Sequence, residues 1–223
     1  MKKKLLNNSI FLYKCYLYYY LIKSKYRTKK KTYSQFGEDL IINNFFKNFV
    51  GKYVDIGCYH PIKYNNTLLL YEKGWTGINI DLNQTSIDLF NVVRKNDSNI
   101  LACLSDKEEE VIVYFDNKFS ALNSIYTKNL DKFGIKDFKK IKVKTKIFSN
   151  LVKDNFDFLN IDCEGNDYKI LRSIDLKKYN PKLICIEISS EEDKKSILEY
   201  LNTYTYELVE VKDLSYIFKK NRI

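Results

Sequence analysis

The residues with chemistry to offer gather where short apolar runs end. Lys52-Tyr-Val-Asp-Ile-Gly57 closes on Asp55 and Gly57, and Thr76-Gly-Ile-Asn-Ile-Asp81 closes on Asp81. Phe156-Asp-Phe-Leu-Asn-Ile-Asp162 closes on Asp162 and continues through Cys163 to Glu164. His60, the only histidine, follows Gly57 by three residues. Asp81 stands 26 residues after Asp55, near the spacing at which an acid after a second strand grips a ribose diol. Gly57 allows a tight turn and the close approach of a ligand.

The turn itself narrows the choice of ligand. A dinucleotide site needs Gly-x-Gly-x-x-Gly, whose amides and helix N-terminus cradle a pyrophosphate. Here the turn is Gly57-Cys-Tyr-His-Pro61, with one glycine and two bulky rings. A cofactor with a ribose and no phosphate suits it better, which points to S-adenosylmethionine (SAM). The plainer reading is a strand that happens to end in Asp-Ile-Gly.

The elements that must position these residues alternate in type. Apolar runs at 52–57, 76–81, 99–104, 156–162 and 181–188 read as strands, and helical stretches follow at 66–73, 83–95, 167–174 and 191–201. Leu40 to Phe49 reads as a helix ahead of the first strand. Val111 to Phe115 and Ile141 to Lys146 read as extra strands, around a polar stretch at 116–140 without clear periodicity. Two further runs, Tyr204–Val211 and Leu214–Lys219, read as a hairpin. The expected fold is α/β: a doubly wound, mostly parallel, Rossmann-like sheet closed by a C-terminal antiparallel hairpin. Consecutive parallel strands joined by helices put their ends on one edge, where such sheets bind ligands.

Charge divides the chain in two. Residues 1–31 carry ten Lys or Arg and no acid, out of a net charge of +10 for all 223 residues. From Thr32 onward 28 basic and 28 acidic groups balance. Nucleic-acid enzymes usually carry basic surface on the folded domain, so no nucleic-acid partner is expected. The expected organisation is a basic, Tyr-rich segment at 1–31 and a catalytic domain at 32–223. Within the segment, Ile10 to Ile22 is apolar but too short to span a bilayer and contains Lys14. Two readings stand: an interfacial helix on an anionic membrane, or a helix docked on the domain. The expected setting is the cytoplasm, with this segment as the part that would touch a membrane. Five cysteines without a Cys-x-x-Cys pair speak against zinc and for buried, reduced thiols.

Three stretches together resemble the FkbM-type methyltransferases. They are Ser34-Gln-Phe-Gly-Glu-Asp39; Val54-Asp-Ile-Gly-Cys-Tyr-His-Pro61 with Asn66-Thr67 and Gly74-Trp-Thr-Gly-Ile-Asn-Ile-Asp81; and Phe158-Leu-Asn-Ile-Asp-Cys-Glu-Gly165. The resemblance implies a class I SAM-dependent O-methyltransferase, and many of that family serve surface polysaccharide or glycolipid synthesis. It also implies that Asp55 and Gly57 flank the methionine end of SAM, that Asp81 takes the ribose hydroxyls, and that Ser105 and Asp106 lie near the adenine. Asp162 would end the strand that faces substrate and methyl donor. The chain departs from the pattern at Cys58 and Cys163, where small apolar residues are usual, and at Leu82-Asn83, where a Pro-containing step is common.

Methyl transfer to a sugar hydroxyl benefits from a general base. His60 is one candidate, because an unperturbed imidazole titrates near neutrality; the alternative is a histidine that fixes the turn before Pro61. Glu164 and Asp162 are the rival bases. Acids gathered at strand ends could also hold a divalent cation, although no ligand set is visible and none is assigned. The acceptor expected is a glycan or glycolipid. A methyltransferase acting on protein or RNA, or a non-catalytic module with the same fold, are the alternatives.

Overall fold

A computed structural model describes residues 9–27, 32–115 and 138–221. Its centre is a seven-stranded sheet: β1 (Lys52–Ile56), β2 (Thr76–Asp81), β3 (Ser98–Leu101), β7 (Phe158–Ile161), β8 (Leu183–Glu187), β9 (Tyr206–Lys212) and β10 (Ser215–Lys220). The order is β3-β2-β1-β7-β8-β10-β9. Neighbours from β3 to β8 run parallel; β10 is antiparallel to both β8 and β9. The doubly wound sheet and its closing hairpin are therefore present. The run at 99–104 is not one strand. After β3 the chain breaks at Ala102, and β4 (Cys103–Ser105) joins β6 (Lys139–Ile147) and β5 (Glu110–Phe115) in a second, three-stranded sheet. The irregular stretch expected at 116–140 lies mostly outside the described residues.

Alternation along the strands gives the main sheet two cores. Val54, Ile56, Leu159, Ile161, Ile184 and Ile186 face one layer, with α6 (Asp167–Ser173), α7 (Leu176–Tyr179) and α8 (Glu191–Thr203) supplying Ile170, Leu176, Ile197 and Leu201. Tyr53, Phe158, Leu183 and Cys185 face the other, against Ile42 and Phe46 of α2 (Glu38–Phe46) and Leu70 of α3 (Leu68–Glu72). Trp75 completes that layer edge-on to Phe46, ring centres 4.7 Å apart. Its indole N–H donates to the Phe49 carbonyl at 3.0 Å, so the buried ring keeps its polar handle paired. Asn83 caps α4 (Gln84–Val93) by accepting from Thr85 N–H. Ser190 caps α8 by accepting from Asp193 N–H.

On the second face the apolar layer gives way to a buried polar one around Arg94. Its side chain is fully enclosed. Nη2 donates to Asn65 Oδ1 at 2.8 Å and to the Pro61 carbonyl at 3.2 Å, and Nη1 donates to the Tyr53 hydroxyl at 3.0 Å. Tyr71 stacks 4.6 Å from the guanidinium carbon. Tyr53 donates onward to Asp97, which also accepts from Asn79 Nδ2 and Gly77 N–H. Arg94 thus pins the loop that follows Gly57 to the first strand.

The first helix, α1 (Ile10–Arg27), docks on this body. Leu17 and Leu21 are buried against Leu89 of α4, with Ile62, Val92 and Val93 beside them. The Tyr13 hydroxyl donates to Asp88 Oδ2 at 2.7 Å. No described helix is long and apolar enough to cross a membrane.

Two substitutions test this frame. Gly57 holds φ +76°, and a Cβ there would lie 1.7 Å from the Asp162 carbonyl oxygen. Gly57→Ala should cost about 1–3 kcal/mol or more in urea unfolding, from backbone strain and the forced separation of β1 from the β7 end. Arg94→Lys should cost about 3 kcal/mol, because an ammonium cannot reach Asn65, Pro61 and Tyr53 together; an unchanged midpoint would show that the fork is dispensable.

Candidate active site

Five strand ends meet at one edge of the sheet. β1 lies between β2 and β7, where the chain reverses its direction of winding, and such a switch point opens a crevice. Gly57 N–H donates to the Ile80 carbonyl at 2.8 Å and Asp162 N–H to the Ile56 carbonyl at 2.9 Å, so the ends of β1, β2 and β7 are laced together at the floor. What approaches Gly57 closely is the backbone of Asp162, which explains the glycine independently of any ligand.

Each wall of the crevice is a strained turn held by an acid. On one side Tyr59 adopts φ +51°, and its N–H donates to Asp81 Oδ2 at 2.8 Å. Asn83 N–H donates to Asp81 Oδ1 at 2.7 Å. On the other side Glu164 adopts φ +51° and Gly165 φ +93°. There Cys163 and Gly165 N–H groups donate to the two oxygens of Asp167, at 2.7 and 3.0 Å. Non-glycine residues in this conformation cost of order 1–3 kcal/mol and persist where the surroundings over-determine them. Burial lifts the carboxyls of both Asp81 and Asp167 to about 6, and the donated N–H groups pull each back only in part.

Asp55 is enclosed rather than open. Its Oδ1 accepts from Asn160 Nδ2 at 2.8 Å and its Oδ2 from the Thr67 hydroxyl at 3.0 Å. Asn160 accepts in turn from Asn66 Nδ2 at 3.0 Å. Asp55 therefore fixes the Asn66-Thr67 loop over the strand ends, and burial raises its pKa. Asp162 follows β7 and keeps an open face to the crevice. Its enclosure among protein groups, and then the carboxylate of Glu187 hydrogen-bonded to it, push its pKa well above the usual carboxylate range. Two carboxylates in hydrogen-bond contact disfavour each other's ionisation. Glu164, half-buried, rides on the turn beside them.

His60 has a different place. It is wholly buried, and Nδ1 accepts from Ile62 and Lys63 N–H at 3.0 and 3.1 Å. The proton therefore belongs on Nε2, which lies 3.2 Å from Ser24 Oγ of α1. Burial, helped by Lys63, pulls its pKa down to about 3. Both nitrogens are occupied inside the protein, and the ring stays neutral. Ser105 is buried and donates to Asp106 Oδ1 at 3.2 Å, while Asp106 pairs with Lys169 at 3.1 Å on the rim. Burial raises the thiols of Cys58 and Cys163 far above neutrality, so neither is a nucleophile at ordinary pH.

Several members of the site were not singled out from the sequence. Glu187, Asn160, Arg94 and Asp167 sit far from the glycine turn in sequence and reach it only through the sheet. Asn166 donates to the Leu104 carbonyl at 3.3 Å, and its Oδ1 is buried with no partner among the described residues. That acceptor beside Ser105 and Asp106 suits an amino donor such as that of a purine.

These groups fit SAM. The cofactor carries a sulfonium and an ammonium, and the crevice offers the carboxylates of Asp81, Asp162, Glu164 and Glu187. The one buried guanidinium nearby is consumed by Pro61, Asn65 and Tyr53, so it offers nothing to a pyrophosphate.

Known proteins share the family and the fold. The Methyltransferase FkbM domain model matches residues 55–219. The structure of a methyltransferase FkbM from Methylobacillus flagellatus is similar at 13% identity, with a TM-score of 0.55 over 83% of this chain and 48% of that one. TehB from Haemophilus influenzae aligns at 15% identity with a TM-score of 0.49, over 86% of this chain and 65% of that one. An rRNA methylase from Escherichia coli aligns at 15% identity with a TM-score of 0.42, over 83% and 64%. This chain thus spans about half of the FkbM structure and just under two-thirds of the other two. No curated protein matches the sequence. The family model covers most of the chain and includes every strand of the central sheet beyond the first residues of β1, and so the chain belongs to the FkbM methyltransferase family, which is of the SAM-dependent type.

Proposed function

We propose that this protein transfers a methyl group to a hydroxyl, that of a sugar in a surface polysaccharide or glycolipid. The observation that carries the reading is the Asp162–Glu187 pair, two hydrogen-bonded acids with an open face at the end of β7. A hydroxyl acceptor needs its proton removed, and an acid whose pKa is raised above the usual carboxylate range is, once ionised, a stronger base than an ordinary carboxylate. A polyanion would meet repulsion from the same carboxylates, and the chain from Thr32 onward carries no excess of positive charge to offset it.

When bound, SAM supplies a methyl group on a sulfonium, poised for in-line displacement. Asp81 would accept from the ribose hydroxyls, while Ser105, Asp106 and Asn166 would meet the adenine edge. Asp55 holds the Asn66-Thr67 loop against the strand ends, and Gly57 lets β1 close on β7. Asp162, in its ionised form, would accept the proton of the sugar hydroxyl as that hydroxyl oxygen takes the methyl group and the sulfonium leaves as a thioether, and Glu187 would hydrogen-bond to the acid that results. Glu164, fixed by its turn, orients the acceptor through a further hydrogen bond. His60 is a positioning residue that holds the Tyr59 turn. Most of the rate gain comes from this alignment.

Two measurements test the assignment. Ribose hydroxyls donate hydrogen bonds, so they favour the ionised form of Asp81. With a ligand-free pKa of about 6, SAM affinity by calorimetry should be flat above pH 6 and fall up to about tenfold per unit below it. Asp81→Asn should bind more weakly by about 1–3 kcal/mol and flatten that slope; a slope that survives in the variant would move the titration elsewhere, to Asp167 first. Asp162→Asn should lower kcat for glycan methylation by about 10²–10⁴-fold with little change in SAM affinity. A His60→Gln variant that folds should keep kcat within about tenfold. The reverse ranking would return the base role to the imidazole.

A further inference from the structure

The two faces of α1 are both apolar, and only one is covered. Its inner face, Tyr13, Leu17, Tyr20, Leu21 and Ser24, rests on α4 and on the Tyr59-His60 turn. The opposite face carries Phe11, Cys15, Tyr18 and Ile22, spaced 4, 3 and 4 residues apart and so in one stripe. All four are exposed; Phe11 is 73% exposed, Tyr18 55% and Ile22 56%. Tyr19 and Leu12 widen the stripe on one side. Lys14 and Lys23, both exposed, flank it on either edge.

We propose that this outer face lies flat on an anionic lipid bilayer, holding the catalytic domain against the membrane surface. Charge selects the occupant. Residues 1–31 hold ten Lys or Arg and no acid, whereas the rest of the chain is balanced, so the excess charge of the whole molecule lies in the segment of sequence that carries this stripe. A protein partner would need an acidic rim around an apolar groove; a bilayer of anionic lipid supplies both features over any area. Tyrosine and phenylalanine suit the headgroup level, and lysines at the edges of the stripe can extend to the phosphates while their stems stay apolar. The helix is too short and too charged to span, which leaves the surface orientation. Because the inner face contacts the turn that holds Asp81, the same helix joins the lipid surface to the cofactor site. Tyr20 packs edge-on to His60 with ring centres 5.3 Å apart, and Tyr59 N–H is a direct Asp81 partner. The inference does not depend on which hydroxyl accepts the methyl group.

The test uses the full chain with sedimented phosphatidylglycerol and phosphatidylcholine vesicles. The protein should pellet with phosphatidylglycerol at low salt, lose most of that binding in about 0.5 M salt, and stay in solution with phosphatidylcholine. The triple variant Phe11→Ser, Tyr18→Ser, Ile22→Ser should reduce binding more than about tenfold while its unfolding temperature holds, because these side chains are mostly exposed and belong to none of the buried clusters of the described residues. Failure of the parent protein to pellet would overturn the proposal, as would equal pelleting by the variant. A solution mass of twice the chain that the variant abolishes would instead assign the face to a second copy. A clear drop in the variant's unfolding temperature would assign it to another segment of this chain. Lys14→Glu with Lys23→Glu provides a second route: these substitutions leave the apolar stripe intact and should raise the lipid concentration needed for half-binding about tenfold or more.

Discussion

The site depends on a buried cation. Arg94 lies at the end of α4, outside the crevice, yet its guanidinium meets the loop after Gly57 at Pro61 and Asn65 and the first strand at Tyr53. A charge enclosed so completely is tolerated because carbonyl, amide and hydroxyl oxygens converge on its fork, with Asp97 one hydroxyl away. The geometry of the strand ends follows from it. Asn65 accepts from Arg94 and also from the Thr67 backbone N–H, and the Thr67 hydroxyl donates to Asp55. One continuous hydrogen-bonded chain therefore connects the outer helix layer to the acid at the centre of the sheet.

Around that frame the acids divide into two kinds of work. Asp81 and Asp167 each spend both carboxylate oxygens on backbone N–H groups and thereby hold a left-handed residue on either wall of the crevice. Asp162 and Glu187 hydrogen-bond to each other. The first pair braces the turns, and the second sets two acids side by side at the end of β7. Low dielectric serves both, since it strengthens the hydrogen bonds that define the turns and raises the pKa values that make a carboxyl useful near neutrality.

The first helix extends the same logic to the outside. Its buried half is an ordinary amphipathic contact, with leucines on leucine and a tyrosine on an aspartate. Its position is less ordinary, because that contact reaches the Tyr59-His60 turn, whose backbone is one of the two that hold Asp81.

Much of this was legible in the sequence. Strand-helix alternation, the acids at the strand ends and the glycine after β1 follow from local patterns, because period-two burial and a positive φ leave marks within a few residues. The closing hairpin was equally plain. The division of roles was not. His60 next to the glycine turn reads as a base from its type alone, but its two N–H donors and Ser24 come from the folded loop and from a helix 36 residues away. The Asp162–Glu187 pair joins two strands that are neighbours only in the sheet, so nothing in the spacing of those acids announces it. Gly57 was expected to make room for a ligand; in the structure it makes room for the Asp162 backbone. The chain alone determined which residues reach the edge of the sheet, since that is a matter of period and strand ends. Burial and proximity across strands decided which acids brace the turns and which stand side by side, because desolvation and like-charge pairing exist only once the chain is folded.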